Sequence, residues 1–164
     1  MIFKNLSKNF YISLITITFI FILDRVSKVL VINLDQIKNG FNIPLTSFLN
    51  IDLVWNQGIA FGFLSFNEKN FYNIITLIIL LIIIFIIFLI YKNNGFKKYS
   101  YILVCGGALG NVFDRMYYQS VPDFIDIHYN SFHWFIFNVA DIFITIGVIC
   151  LIFDEIFLER YRNE

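Results

Sequence analysis

Residues 75–90 read ITLIILLIIIFIIFLI without a single charge. Within the wider stretch Phe71–Tyr91 that run can cross a hydrocarbon layer, which takes about 20 apolar residues as a helix. Three further stretches are candidates: Phe10–Leu23, extending past Asp24 toward Ile32, then Tyr99–Phe113, then Phe135–Phe153. The chain is 59% hydrophobic and only 15% charged, against about 25% charged in an average soluble domain. So small a globule cannot hide that apolar excess. The expected class is an all-α membrane protein of four transmembrane helices. A formal net charge of zero carries no polyanion signal, so nucleic acid is not expected as a partner.

Lysine and arginine orient the spans, because loops on the cytoplasmic side carry their excess. Lys4 and Lys8 precede the first span, Lys92, Lys97 and Lys98 crowd the loop between the second and third, and Arg160 and Arg162 follow the fourth. The opposite loops, roughly 33–70 and 117–134, carry Lys38 and Lys69. Both termini are therefore expected in the cytoplasm and the long loop outside. LDRVSK follows the first apolar stretch where a cleaved signal would show small residues, so that span reads as uncleaved. Cys105 and Cys150 fall inside expected helices without metal-ligand spacing and read as buried thiols.

Residues 1–164 read as a single unit, with neither repeats nor a domain linker. In the outside loop 33–70, Leu49, Ile51, Leu53 and Trp55 alternate with Asn50, Asp52, Val54 and Asn56. Period two predicts a half-buried strand, broken by Gly58, Gly62 and the turn formers near Pro44. A small extracytoplasmic β-sheet on the outer membrane surface is expected, with a short interfacial turn over Phe66–Asn70.

Two carboxylates flank the last apolar run. Asp123 precedes it in VPDF, and Asp141, in FNVAD, reads as well inside it. A carboxylate at membrane depth is costly and is read first as functional, with a partner nearby. If the two meet, they cannot both ionise cheaply and share one proton. An acid beside a base is the equipment of an aspartic peptidase. The competing reading of Asp141 is a polar contact between helices, paired with Arg115. Asp123 alone reads equally well as a solvated loop residue, as Asp126 does; Pro122 restricts its backbone.

Other polar groups cluster at span ends. Gly106 and Gly110, with Gly107 and Ala108, suit close helix packing in lipid. Asn111 shares a helix face with Asp114 and Arg115, and Asn138 shares one with Asp141. Asp24 and Lys28 lie four apart and read as a pair with each other or with the Asp114–Arg115 region. Each set reads either as structural ion pairing at a helix end or as part of a site. His128 and His133, with Asp123 and Asp126, match no metal motif, so neither a metal nor a cofactor is expected. The signatures of serine and zinc peptidases are missing from the sequence.

DRVSK at 24–28, NQGIAFG at 56–62, GGALGNVFDR at 106–115, VPDF at 121–124 and FNVAD at 137–141 occur in that order. Together they resemble the lipoprotein signal peptidase (signal peptidase II) family of bacterial inner-membrane aspartic endopeptidases, over nearly the whole chain. The resemblance implies removal of the signal peptide from prolipoproteins, just before a cysteine bearing diacylglycerol. It carries the catalytic pair onto Asp123 and Asp141. It carries supporting and substrate-binding roles onto Asn56, Gly58, Asn111, Asp114, Arg115 and Asn138, with Asp24 and Lys28 completing the polar network. It also implies membrane lipids around the substrate and inhibition by globomycin-type lipopeptides; a monomer is expected. The chain departs from the family pattern at Arg25, where glutamine is commoner, and at Pro122, where valine is. Two readings compete: a non-catalytic lipid- or lipoprotein-binding membrane protein, and a proton-coupled transporter subunit relaying through Asp141 and Arg115.

Overall fold

The computed structural model describes residues 2–38, 40, 42–57, 68–130 and 132–158. Four α-helices carry a small antiparallel sheet at one end. Helix α1 spans Ile2–Lys38, α2 Glu68–Lys92, α3 Gly95–Tyr118 and α4 Val139–Phe153. A π-helical turn, Asp154–Leu158, continues α4. By length and composition α2 is apolar enough to cross a membrane over Tyr72–Lys92. Among the described residues it is the one helix that meets that standard, since α1 and α3 carry charges and α4 is short.

The strand expected from alternation is present as β2, Leu49–Asn56. Three neighbours join it, in the order β1–β2–β3–β4. Strand β1 is Asn42–Thr46, β3 is Val121–Tyr129 and β4 is Phe132–Phe137. The sheet thus draws half its strands from the 121–137 region rather than from the 33–70 loop alone. Pro44 does not break the sheet: it sits in β1 opposite Asn50. An edge strand tolerates a residue without an N–H, and a register shift follows directly.

The VPDF segment is likewise strand and not loop, with Pro122 opposite Trp55 and Asp123 opposite Val54. Val121, Pro122, Asp123 and Phe124 are all buried. Strand β4 replaces the expected first turn of the fourth span: FHWFIF is rich in aromatic residues that favour a pleated surface, and the helix begins only at Val139. Asp141 therefore stands in the first turn of α4, not well inside a helix that runs through the whole apolar stretch.

Two apolar clusters hold these parts. One joins Ile83, Ile86 and Ile90 of α2 to Ile102, Val104, Cys105 and Val112 of α3, with Ile17 and Ile144 packed against them. The other seats the sheet on α1, through Val31 and Phe124 with Ile51, Leu53 and Val139. Gly107 lets α3 and α4 touch, because a Cβ there would stand 2.4 Å from the carbonyl oxygen of Ala140. The small-residue stretch thus serves close packing, as its spacing suggests.

Candidate active site

Asn138 is the N-cap of α4, and with Asp141 it forms a capping box. Its side-chain oxygen accepts from the Asp141 N–H at 3.1 Å, while the Asp141 carboxylate accepts from the Asn138 N–H at 3.1 Å. Both bonds satisfy donors that a helix start leaves open. The cap fixes which way the Asn138 amide faces. Its Nδ2 then donates to Asp123 Oδ1 at 2.6 Å. Asn56, at the end of β2, donates to the other oxygen of Asp123 at 2.9 Å.

Asp141 is held from a third side. Asn111 of α3 donates through Nδ2 to Asp141 Oδ1 at 2.7 Å and accepts through Oδ1 from Lys28 Nζ at 2.8 Å. A lysine ammonium has only donors to offer, so its position settles the orientation of the Asn111 amide. Behind Asn111 lies an ion cluster. Lys28 Nζ stands 2.6 Å from Asp114 and 3.0 Å from Asp24. Arg25 Nη2 donates to Asp114 at 2.7 Å and to Asp24 at 2.9 Å. Asp24, Lys28 and Asp114 are fully buried. Two cations against two carboxylates leave this interior neutral, the condition under which buried charge is tolerable.

Asp24 also reaches α4, accepting from the Ala140 N–H at 3.0 Å. Gly110 permits the approach, since a Cβ there would meet Asp24 Oδ2 at 2.5 Å. Lys28 therefore pairs both with Asp24 and with Asp114, joining the two alternatives that spacing left open. Among the described residues Arg115 forms no ion pair: its guanidinium donates to the Asn111 carbonyl at 3.4 Å, not to Asp141. Arg25, noted in the sequence only as a departure, proves central to the cluster and packs 4.9 Å from the Phe113 ring. Its position one residue after Asp24 gave no hint of that reach. Gly58 falls outside the described residues.

Asn56, Asp123 and Asp141 line one groove of about 840 Å³ between the sheet and α4. Its remaining wall is largely apolar, built from Trp134, Phe135 and Phe137 of β4 and from Ile142 and Ile146 of α4. Burial pushes the Asp123 carboxyl up to about 6; the charge of Asp141 adds to the rise, and the amides of Asn56 and Asn138 and the charge of Lys28 oppose it. Near that value a carboxyl can give and take a proton.

Helices carrying a small sheet, with two carboxylates on one groove, are an architecture shared with membrane enzymes, as the structural comparison shows. Two solved structures described as bacterial membrane enzymes each superpose with a TM-score of 0.71. One is 33% identical, covering 93% of this chain and 90% of that one; the other is 34% identical, covering 88% and 92%. Residues 16–157 match the family described as signal peptidase (SPase) II. The lipoprotein signal peptidase of Pelagibacter ubique is 52% identical over 95% of this chain and 94% of that protein. That of Burkholderia cenocepacia strain J2315 is 40% identical over 93% and 88%. The chain belongs to the signal peptidase II family.

Proposed function

We propose that this protein removes the signal peptide from diacylglyceryl-modified prolipoproteins by aspartic chemistry, with Asp123 and Asp141 as the catalytic pair. Family membership supports the substrate class. One observation carries the chemistry: the two carboxylates line a single groove and are tied together through Asn138. Asp123 serves as the acid of the pair, because burial raises its carboxyl to about 6 and brings the protonated form within reach of neutral pH. Asp141 draws a proton from an attacking water. Asp123 gives its own to the scissile carbonyl, and the roles reverse as the tetrahedral intermediate collapses onto the leaving nitrogen. Asn56, Asn111 and Asn138 orient the carboxylates, and the Asp24–Arg25–Lys28–Asp114 cluster anchors that scaffold.

The apolar wall of the groove suits acyl chains and an apolar signal segment. The edge of the sheet suits an extended peptide beside it. Helices α1 to α4 form four transmembrane spans of a single unit covering 1–164. Large apolar side chains stand exposed on each described helix, among them Phe19 and Ile22, Ile84 and Phe85, Phe113 and Tyr117, Ile149 and Ile152; lipid contact accounts for such a surface. The π-turn lengthens α4 from 15 to 20 residues, or about 30 Å of rise, enough for the hydrocarbon layer. The basic residues near the sequence ends and between α2 and α3 support a topology with both termini in the cytoplasm, the chain in the inner membrane and the groove at its outer face.

The test uses purified protein and a diacylglyceryl-modified prolipoprotein. Signal-peptide release is expected from the native chain, blocked by globomycin. Asp123→Asn and Asp141→Asn each lose at least about a thousandfold in rate while remaining folded and inserted. Turnover near the native rate by either variant overturns the pair.

A further inference from the structure

Asp126 is fully buried, not solvated as its sequence position suggests. It lies two residues before His128 on β3, so both project from one face of the sheet. His128 and His133 are direct partners across β3 and β4, which brings their side chains together on that face. The register shifts beside this pair, and a bulge re-aims the side chains around it. Together these convert a loop-like sequence spacing into a convergent triad.

The donor atoms of Asp126, His128 and His133 all lie within 4.8 Å of one another. His133 Nδ1 is 2.8 Å from Asp126 Oδ2, and His128 Nδ1 is 3.7 Å from the same oxygen. The second oxygen of Asp126 is buried without a hydrogen-bond partner, and so is His128 Nδ1. Buried polar atoms left unpaired are costly and rare. A cation seated among the three groups gives His128 Nδ1 the partner it lacks and is met by the Asp126 carboxylate, whose Oδ2 faces both rings. His133 is half-exposed, which supplies an entry path.

We propose that Asp126, His128 and His133 form a binding site for a divalent transition metal of the zinc class, separate from the proposed catalytic pair. Two imidazoles and one carboxylate suit Zn²⁺ and leave its fourth tetrahedral position for water. Hard cations that want six or more oxygens, Mg²⁺ and Ca²⁺, are poorly served. Both of the chain's 2 histidines are used here, so imidazole ligation has no other place in the molecule. Bound metal ties β3, which carries Asp123, to β4, which leads into Asn138.

The test takes full-length protein in detergent, free of any histidine tag and stripped with a chelator. Zn²⁺ is titrated in competition with a chromophoric chelator, and thermal unfolding is followed alongside. One Zn²⁺ per chain is expected, with a higher unfolding midpoint and indifference to millimolar Mg²⁺ or Ca²⁺. Exposed His133 can be removed without emptying a core, so His133→Ala stays folded, weakens Zn²⁺ at least about tenfold and loses the thermal shift. His128→Ala provides a second, independent loss. Absent Zn²⁺ binding by the native chain, or equal binding by His133→Ala, overturns the site and leaves the triad a hydrogen-bonded cluster.

Discussion

Asn138 gives its side-chain amide to Asp123 over 2.6 Å while its side-chain oxygen caps the helix that carries Asp141. A single residue thereby joins sheet chemistry to helix chemistry. Asn138→Ala removes a cap worth about 1 kcal/mol and frees Asp123 from its closest donor. The expected result is a small drop in unfolding midpoint but at least about a tenfold loss of signal-peptide release, because orientation of reacting groups is worth more than the cap. Equal proportional losses in stability and activity would instead mark Asn138 as a structural cap alone.

The raised Asp123 carboxyl predicts a pH dependence. In the free protein Asp123 loses its proton near pH 6, so kcat/KM falls as pH rises through that value. Substrate covering the groove excludes water and favours the neutral acid further. The corresponding limb in kcat lies at higher pH. A pH profile with both limbs at the same position speaks against substrate burying this group.

Stability responds in the same direction. Between the ordinary carboxylate value of about 4 and about 6, the folded chain keeps a proton that the unfolded chain has released. Asp123 therefore contributes stability that is complete below about pH 4 and is lost as pH rises through about 6. Denaturation midpoints compared between native protein and Asp123→Asn across this window isolate the effect. The variant lacks that downward component.

Lys28 neutralises two buried carboxylates, so Lys28→Met leaves Asp24 and Asp114 with Arg25 as their remaining cation partner among the described residues. Removing one member of a buried ion cluster costs about 3–5 kcal/mol. Adding Asp114→Asn removes one of the stranded charges and recovers part of that loss. Arg25→Gln is milder, because its side chain is partly exposed and Lys28 stays in place. Unfolding midpoints should rank native, Arg25→Gln, then Lys28→Met.

Gly107 and Gly106 differ in what a methyl group would strike. At 107 it meets the Ala140 backbone oxygen at 2.4 Å; at 106 it meets the Ile20 side chain at 2.9 Å. At 106 the nearest atom is the Ile20 Cβ, so α1 must give by a few tenths of an ångström, whereas at 107 the closer clash is with the first turn of α4, which cannot move without carrying Asp141. Gly107→Ala should destabilise by about 1–3 kcal/mol and depress cleavage further through displacement of Asp141. Gly106→Ala should lose less of both, as read by midpoint and initial rate.

Much of the site was readable from local pattern. Spacing put Asn111 with Asp114, Asn138 with Asp141, and Asp24 with Lys28, and the alternation over Leu49–Asn56 marked a strand. The misreadings arose where two elements had to meet. Apolar FHWFIF looks like the start of a membrane helix until β3 stands beside it to pair. Asp126 looks solvated until β4 folds His133 over it. Arg25 looks incidental until α3 brings Asp114 within reach.

Apolar run length, charge placement and ordered motif blocks determined the helices, the polar ends and the two carboxylates, because each follows from neighbours a few residues apart. That Asp123 and Asp141 share a groove was decided only by the tertiary structure. Eighteen positions separate them in the chain, and their approach depends on a hairpin pairing, a helix cap and a lysine-oriented amide contributed by three different helices and a sheet. Contacts of that kind depend on long-range packing, which no local pattern of residues encodes.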